Sequence, residues 1–477
     1  MPADCGCGKA APRIAALPGN PMDFKRALVC AAGAMLTSFG AGAAEGDLLP
    51  AFGQHGIAWV GTPRPYYGFA TRPAVQPDGK IVVCDAAPNP VGSGDAFVVA
   101  RFDAAGSLDE GFGTSGHVVI ADGSTDCIDI AVQDDGRIVV VGDYYADPSA
   151  LPAGFLVIRL DPDGEPDASF GNGDGRATVY FSGSGSEFSA AVGVRVRGDG
   201  RIVLAGPTST TSQDEQFAVA QLLPDGQLDT TFGNGGKATI SFDDIVGSAV
   251  KDHPTALALD RQGRIVVGGF SYSGAPNGPA RFAVARLTPG GSPDASFGDA
   301  GRAIVAFSAI PEERDMARSL AVQRDGRIVI AGSANLPIPA LADPDMAVAR
   351  LLDDGTLDPS FGGGRVRIAF GANEASSDAA NAVALQDDGK VVLAGQSGNH
   401  PAIARLASDG SLDTSFGDGG RKVYDLPDTA GFGYFNGVRF QQGRLLVSGD
   451  TATTGQDIYD GFVADLGVDL IFSDGLE

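Results

Sequence analysis

"DGRIVV", Asp135–Val140, is a turn followed at once by a strand. Glycine admits the positive φ that a tight turn needs, and the β-branched run after it suits a pleated, buried strand. The same pattern returns as "DGKIVV" at Asp78, "DGRIVL" at Asp199, "QGRIVV" at Gln262, "DGRIVI" at Asp325, "DGKVVL" at Asp388 and "QGRLLV" at Gln442. Its successive glycines lie 57, 64, 63, 63, 63 and 54 residues apart. Phe-Gly recurs with it, at Phe52, Phe112, Phe170, Phe232, Phe297, Phe361 and Phe416. Self-similarity at one long period marks a repeat architecture.

Each unit reads as four strands. After Phe-Gly comes a short one such as "HVVI" from His117, then an alternating segment such as "IDIAVQ" from Ile128. The Gly turn follows, then "RIVVVG" from Arg137 and "FLVIRL" from Phe155. The last two are apolar almost throughout, as in strands covered on both faces. A four-stranded sheet with two greasy faces is not stable alone. Radial stacking in a closed ring buries every face, which predicts an all-β fold: a seven-bladed β-propeller of four-stranded antiparallel blades over about 45–470. An open solenoid is the competing architecture, and its repeats are usually shorter.

The opening segment has the layout of a secretory signal peptide. Met22 precedes Lys25 and Arg26, an apolar run from Ala27 to Phe39, and the small residues Ala41, Gly42, Ala43 and Ala44. Residues 1–44 are therefore expected to be a leader with its start at Met22, which makes the Cys5 and Cys7 pair irrelevant to the mature chain. Without Lys9, Arg13, Lys25, Arg26, Asp4 and Asp23 the chain keeps 30 basic and 57 acidic residues, a net charge of −27. Such a surface repels nucleic acid and anionic membrane. No later apolar run reaches the roughly 18 residues of a membrane span. The expectation is a secreted, periplasmic or cell-surface protein, and a monomer. Cys84 and Cys127 could pair in an oxidising compartment or simply be small buried hydrophobes.

"RLDPDGEPDASFG", Arg159–Gly171, looks like a calcium loop, with Asp161, Asp163 and Asp167 as candidate ligands. Other copies replace Asp161 by Leu223, Thr288, Leu352 or Ala407, and Asp163 by Ala105 or Gly290. A calcium site needs several oxygens converging at once, so the stretch reads as a linker turn, with calcium left open only for this copy. Five copies place an arginine eight residues before the last aspartate: Arg101 and Asp109, Arg159 and Asp167, Arg286 and Asp294, Arg350 and Asp358, Arg405 and Asp413. These arginines are expected to bridge to aspartates or backbone carbonyls at the blade junctions. Gln221 and Asp229 break the pattern.

"ALQDDGKVVLAG" from Ala384 and "IARLASDGSLDTSFGDGG" from Ile403 resemble the bacterial delta-60 repeat family, and the likeness runs over nearly the whole mature chain. It implies a propeller-like exported or surface-associated protein and supplies no catalytic residues. The ending "DLIFSDGLE" from Asp469 is similar to short tails on exported proteins of some proteobacteria, so 471–477 is set apart as a tail.

No G-x-S-x-G, P-loop or H-E-x-x-H occurs, and "GFGTSG" from Gly111 precedes a strand rather than a helix. His55 and His117 fall near the starts of short strands that, counted first in their blades, would line the channel. Trp59, the single tryptophan, argues against WD-type repeats. Residues that recur in every unit build blades, so a site must come from departures. The variable stretches all emerge on one face, where Tyr66, Tyr67, Tyr144, Tyr145 and Tyr272 are candidate contacts. The expected function is a non-enzymatic binding or surface-interaction module for a protein, polysaccharide or envelope component. The alternatives are a hydrolase or lyase with its site in the channel, and a calcium-stabilised structural protein.

Overall fold

The computed structural model describes residues 44–62, 72–88, 95–120, 124–144, 154–181, 188–209, 215–246, 250–273, 279–309, 313–335, 344–371, 377–426, 429–453 and 459–468. They form seven antiparallel sheets of the propeller type. Blade 1 runs through Ala74–Val75, Ile81–Pro88, Asp95–Phe102 and His117–Ile120. Blade 2 uses Ser124–Val132, Ile138–Tyr144, Gly154–Leu160 and Arg176–Val179. Blade 3 has a broken first strand, Phe188–Ser189 and Gly193–Val196, then Ile202–Ser209, Glu215–Leu222 and Lys237–Ile240. Blades 4, 5 and 6 repeat the pattern from Val250–Leu259, Asp315–Val322 and Asp378–Leu385. Blade 7 takes three strands from the end of the chain, Thr429–Gln441, Arg444–Thr453 and Tyr459–Leu466, and its fourth, Ile57–Trp59, from the beginning.

Burial explains why the sheets stack. Ile202–Ser209 and Ile328–Ala334 are buried along their whole length. Seven apolar clusters follow, each shared by two consecutive blades; one joins Val82 and Val99 of blade 1 to Ile130 and Ile138 of blade 2. Another joins Leu446 and Val463 of blade 7 to Ile81 and Val83 of blade 1, and it closes the ring. Every such aliphatic side chain contributes about 1.5–3 kcal/mol on burial.

The order of strands within a blade differs from the sequence-based expectation by one. The short strand after Phe-Gly is the outermost strand of the blade before it, since His117 pairs with Ala100. The cause lies in the linker: Asp109 N donates to Arg101 O, which turns the chain back along the strand it has just left. Val119, 48% exposed, shows the result. His55 and His117 therefore sit at the rim; His117 Nε2 lies 2.7 Å from Val60 O and Nδ1 2.9 Å from Ser115 O. The first strands are instead the alternating segments such as Ser124–Val132. The variable stretches still share one face, because they now join second to third strands and each blade to the next.

The linkers latch consecutive blades together on the opposite face. Arg101, Arg159, Arg286, Arg350 and Arg405 are buried, and each Nε donates to Asp109, Asp167, Asp294, Asp358 or Asp413 at 2.7–2.9 Å. Each guanidinium lies over the linker phenylalanine, 4.4–4.8 Å from the ring centre, a cation–π arrangement. Four of them also donate to a carbonyl of the next linker, at Pro162, Pro224, Asp353 and Ser408, while Arg405 reaches Glu45. The glycine after each phenylalanine donates onward too, as Gly171 N does to Asp225 O at 2.7 Å.

Blade 3 solves the same problem with its two side chains exchanged. Gln221 Nε2 donates to Asp229 at 2.8 Å, and Arg197, directly after the first strand, donates to Gln221 Oε1 at 2.8 Å and to Gly263 O at 2.9 Å. Gln76, at the position of Arg197 in blade 1, donates to Gly136 O in the same way. Arg197→Gln and Gln221→Arg should each cost roughly 1–3 kcal/mol, because each leaves buried polar groups unpaired or crowds two cations. The double exchange should recover most of that loss; additive losses in denaturant titrations of the four proteins would refute the shared latch.

Candidate functional site: the central channel

The channel is lined by first strands, and a bulge shapes each of five of them. The register slips between Cys127 and Asp129, Pro254 and Ala256, Ala317 and Ser319, Ala380 and Ala382, and Phe435 and Gly437. A bulge inserts one unpaired residue and re-aims its side chain. The inserted residues Ile128, Thr255, Arg318, Asn381 and Asn436 all line one cavity of about 340 Å³. Arg72, Asp129, Arg195 and His253 complete its polar lining. A second cavity of about 390 Å³, nearer the Gly turns, shares Arg72, Asp129 and Arg195 and adds Arg439.

One level of this lumen shows how it departs from the repeat. Ala74, Ala131, Ala258, Ala321 and Ala384 pair with Val82, Val139, Val266, Val329 and Val392 in their blades. In the other two blades the same register holds Arg195, opposite Val203, and Arg439, opposite Leu446. A sequence alignment of the seven units on "AVQ" would have exposed these two. Arg318 and Arg72 carry no such signal, because a bulge and a strand entry decide their direction.

Neighbouring groups hold the four guanidiniums in place. Arg195 Nη1 donates to Asp129 Oδ2 at 2.7 Å, and Val194 N donates to the same oxygen at 3.0 Å. Arg318 Nη1 donates to Asn381 Oδ1 at 2.7 Å, whose Nδ2 donates to Phe435 O at 2.9 Å. Arg439 Nε donates to Gln441 Oε1 at 2.5 Å, and Arg72 Nη2 crosses the lumen to Ser319 Oγ. Gly437 lets Arg72 in, since a Cβ there would come within 2.5 Å of Arg72 Cα. Burial lowers Arg72 to about 10, helped by the charges of Arg195 and Arg439 and opposed by Asp129. Arg439 is lowered by burial and by Arg195, and Arg318 by burial.

His253 stands at the edge of the first cavity. Its Nδ1 is bonded to Glu215 of the preceding blade, and its ring packs 5.1 Å from that of Phe270. Beneath the mouth, Asp315 and Asp378 at the starts of their strands and Asp252 near the start of its own accept the backbone amides of Phe307, Phe370 and Phe242 at 2.8–3.0 Å. Burial raises Asp252 to about 6 and Asp315 to about 7, the latter helped by Glu313.

Of the residues expected to bind at the variable face, Tyr66, Tyr67 and Tyr145 lie outside the described residues, as does the side chain of Tyr144. Tyr272 is half-buried 5.7 Å from the Phe270 ring, and burial raises its hydroxyl. Asp161 Oδ1 accepts the amides of Asp163 and Glu165, and Asp167 is held by Arg159 and Ser169. Among the described residues no group of three or more His, Cys, Asp or Glu is placed to hold a metal ion. Cys84 and Cys127 form a disulfide between blades 1 and 2, with their Cα atoms 5.9 Å apart. Arg72, Arg195, Arg318, Arg439 and His253 had not been singled out from the sequence.

Six stretches, 76–112, 133–170, 197–232, 263–297, 323–361 and 386–416, match a family described as a domain of unknown function (DUF5122) beta-propeller. No curated protein matches the chain in sequence. Among solved structures it is similar to the polysaccharide lyase Uly1, at 9% identity and a TM-score of 0.49 over 84% of this chain and 90% of that one. It is also similar to a protein of unknown function from Dyadobacter fermentans, at 12% identity and a TM-score of 0.41 over 85% of this chain and 100% of that one. A third is the Penicillium chrysogenum alpha-L-arabinanase complexed with arabinobiose, at 10% and 0.40 over 86% and 97%. Likeness this distant says nothing of what this chain binds.

Asp315 Oδ1 has no hydrogen-bond partner among the described residues, and the raised pKa of about 7 keeps the carboxyl protonated in the fold at pH values where an unfolded chain, near 3.9, has lost the proton. The contribution of Asp315 to folding stability therefore falls as pH rises from about 4 to about 7 and is level above that. Asp315→Asn keeps the acceptor for Phe307 and should match the parent near pH 4 yet be roughly 2–4 kcal/mol more stable at pH 8. Parallel denaturation curves for the two proteins across that range would contradict this assignment.

Proposed function

We propose that the chain is an exported, non-enzymatic binding propeller that takes its ligand into the central channel from the variable-loop face. One observation carries this reading: the residues that depart from the repeat converge on the lumen, whereas those that recur build latches and blade faces. A lumen lined by Arg195 and Arg439 where five blades have alanine is not needed to make blades. The leader-like start supports export, and the quoted repeats with the six matched stretches support a place among delta-60 repeat proteins. The ligand classes in view are a polysaccharide, an envelope component or a protein segment slender enough for the channel, and the protein acts as a monomer.

A second reading, a hydrolase or lyase, is favoured by His253. Glu215 fixes its Nδ1, and its Nε2 has no hydrogen-bond partner among the described residues at the edge of the cavity, the arrangement of a general base with its orienting carboxylate. Immobilised polysaccharides and envelope fractions from the producing cell should retain the exported chain. Thr255→Trp, which fills the mouth of the cavity, should abolish retention with little change in Tm. Retention undiminished by Thr255→Trp would move the site off the channel. Release of product from the retained polymer, abolished by His253→Ala, would establish the second reading in place of the first.

A further inference from the structure

The chain as a whole carries a net charge of −25, yet its lumen is basic. Arg72, Arg195, Arg318 and Arg439 line the two channel cavities, and among the described lining residues Asp129 is the one carboxylate set against them. That carboxylate is already committed to Arg195 and the amide of Val194. Among the described residues the hydrogen-bond partners of Arg72, Arg318 and Arg439 are the neutral groups of Ser319, Asn381 and Gln441. Each guanidinium has five N–H donors, so most of each fork is left for the lumen.

These cations do not serve the fold. At the level of Arg195 and Arg439 five blades manage with alanine, so a blade needs no guanidinium there. Their grouping is costly, because burial and the neighbouring positive charges oppose the ionised form of Arg72 and Arg439. Latch arginines such as Arg286, by contrast, each face an aspartate. Four cations gathered against their mutual repulsion around the two channel cavities, of about 340 and 390 Å³, are placed as a receptor for negative charge.

We propose that the channel binds an oxyanion, a planar carboxylate or a tetrahedral phosphate or sulfate group, gripped by the forks of Arg72, Arg318 and Arg439 with Arg195 beside Asp129. The guanidinium fork matches these groups with paired, charge-assisted hydrogen bonds. The same chemistry is offered by a free inorganic anion and by an acidic saccharide chain entering from the variable face. This inference deepens the channel-binding reading and rests on it.

The test measures Tm and affinity on the exported chain at constant ionic strength, with sodium chloride as reference. The probes are inorganic phosphate, sulfate, an oligogalacturonate and a neutral oligosaccharide of equal length. Phosphate, sulfate or the oligogalacturonate should raise Tm above the chloride reference. Arg439→Ala, which restores the residue five blades already carry, should leave the unliganded Tm unchanged or higher and weaken binding by about tenfold or more. Arg318→Gln should weaken it similarly. Protection by the oligogalacturonate alone identifies the saccharide as the source, and equal protection by phosphate identifies the free anion. No protection by any anion, or protection undiminished in both variants, overturns the proposal. Equal protection by neutral and acidic oligosaccharides also overturns it while leaving the channel-binding reading intact. Retention of polymers that survives Thr255→Trp, alongside anion protection lost in Arg439→Ala, would sink that reading and leave the oxyanion site standing.

Discussion

The ring depends on a contact repeated between consecutive linkers. A linker phenylalanine lies under the arginine of its own blade and against the glycine of the next linker, where an added Cβ would meet the ring: Gly164 on Phe112, Gly226 on Phe170, Gly355 on Phe297. The backbone repeats the connection, with Gly53 N bonded to Ala105 O at one end of the series and Gly417 N to Glu45 O at the other. Glycine is required at these places because the φ is positive and no side chain fits. Apolar stacking alone is non-directional. The latch supplies the geometry, and with it the angle between blades.

A scaffold built by repetition separates construction from function. Blade 3 makes this visible, since it loses the latch arginine yet recovers the contact through Arg197 and Gln221. Where construction is conserved by compensation in this way, uncompensated departures point elsewhere. Arg195 and Arg439 are departures of that kind, and so are the side chains that the bulges turn inward at Arg318, Asn381 and Asn436. Bulges at matching registers give the channel a ring of positions free to vary without disturbing blade cores.

Charge is distributed in opposite senses inside and outside. The chain as a whole has 59 acidic residues against 34 basic ones. A basic lumen walled by protein screens poorly and acts at short range, so an anionic group that reaches the mouth is held by donors already in position. His253 and Glu215 add a hydrogen-bonded pair at the edge of the first cavity without belonging to the basic cluster.

The number of blades, the buried faces of their strands and the chemistry of the turns were legible in the chain, because period-two patterning and turn residues act over a few neighbours. The spacing of Arg286 and Asp294 was likewise legible, as only eight positions separate the strand arginine from the linker aspartate. Which strand faces the axis was not, and it displaced His117 from channel to rim. That choice depends on whether the chain turns back at the linker or moves on, and only the closed ring decides it. Closure also brings Arg72 of blade 1 across to Ser319 of blade 5, residues 247 positions apart, so the basic lumen exists only in three dimensions.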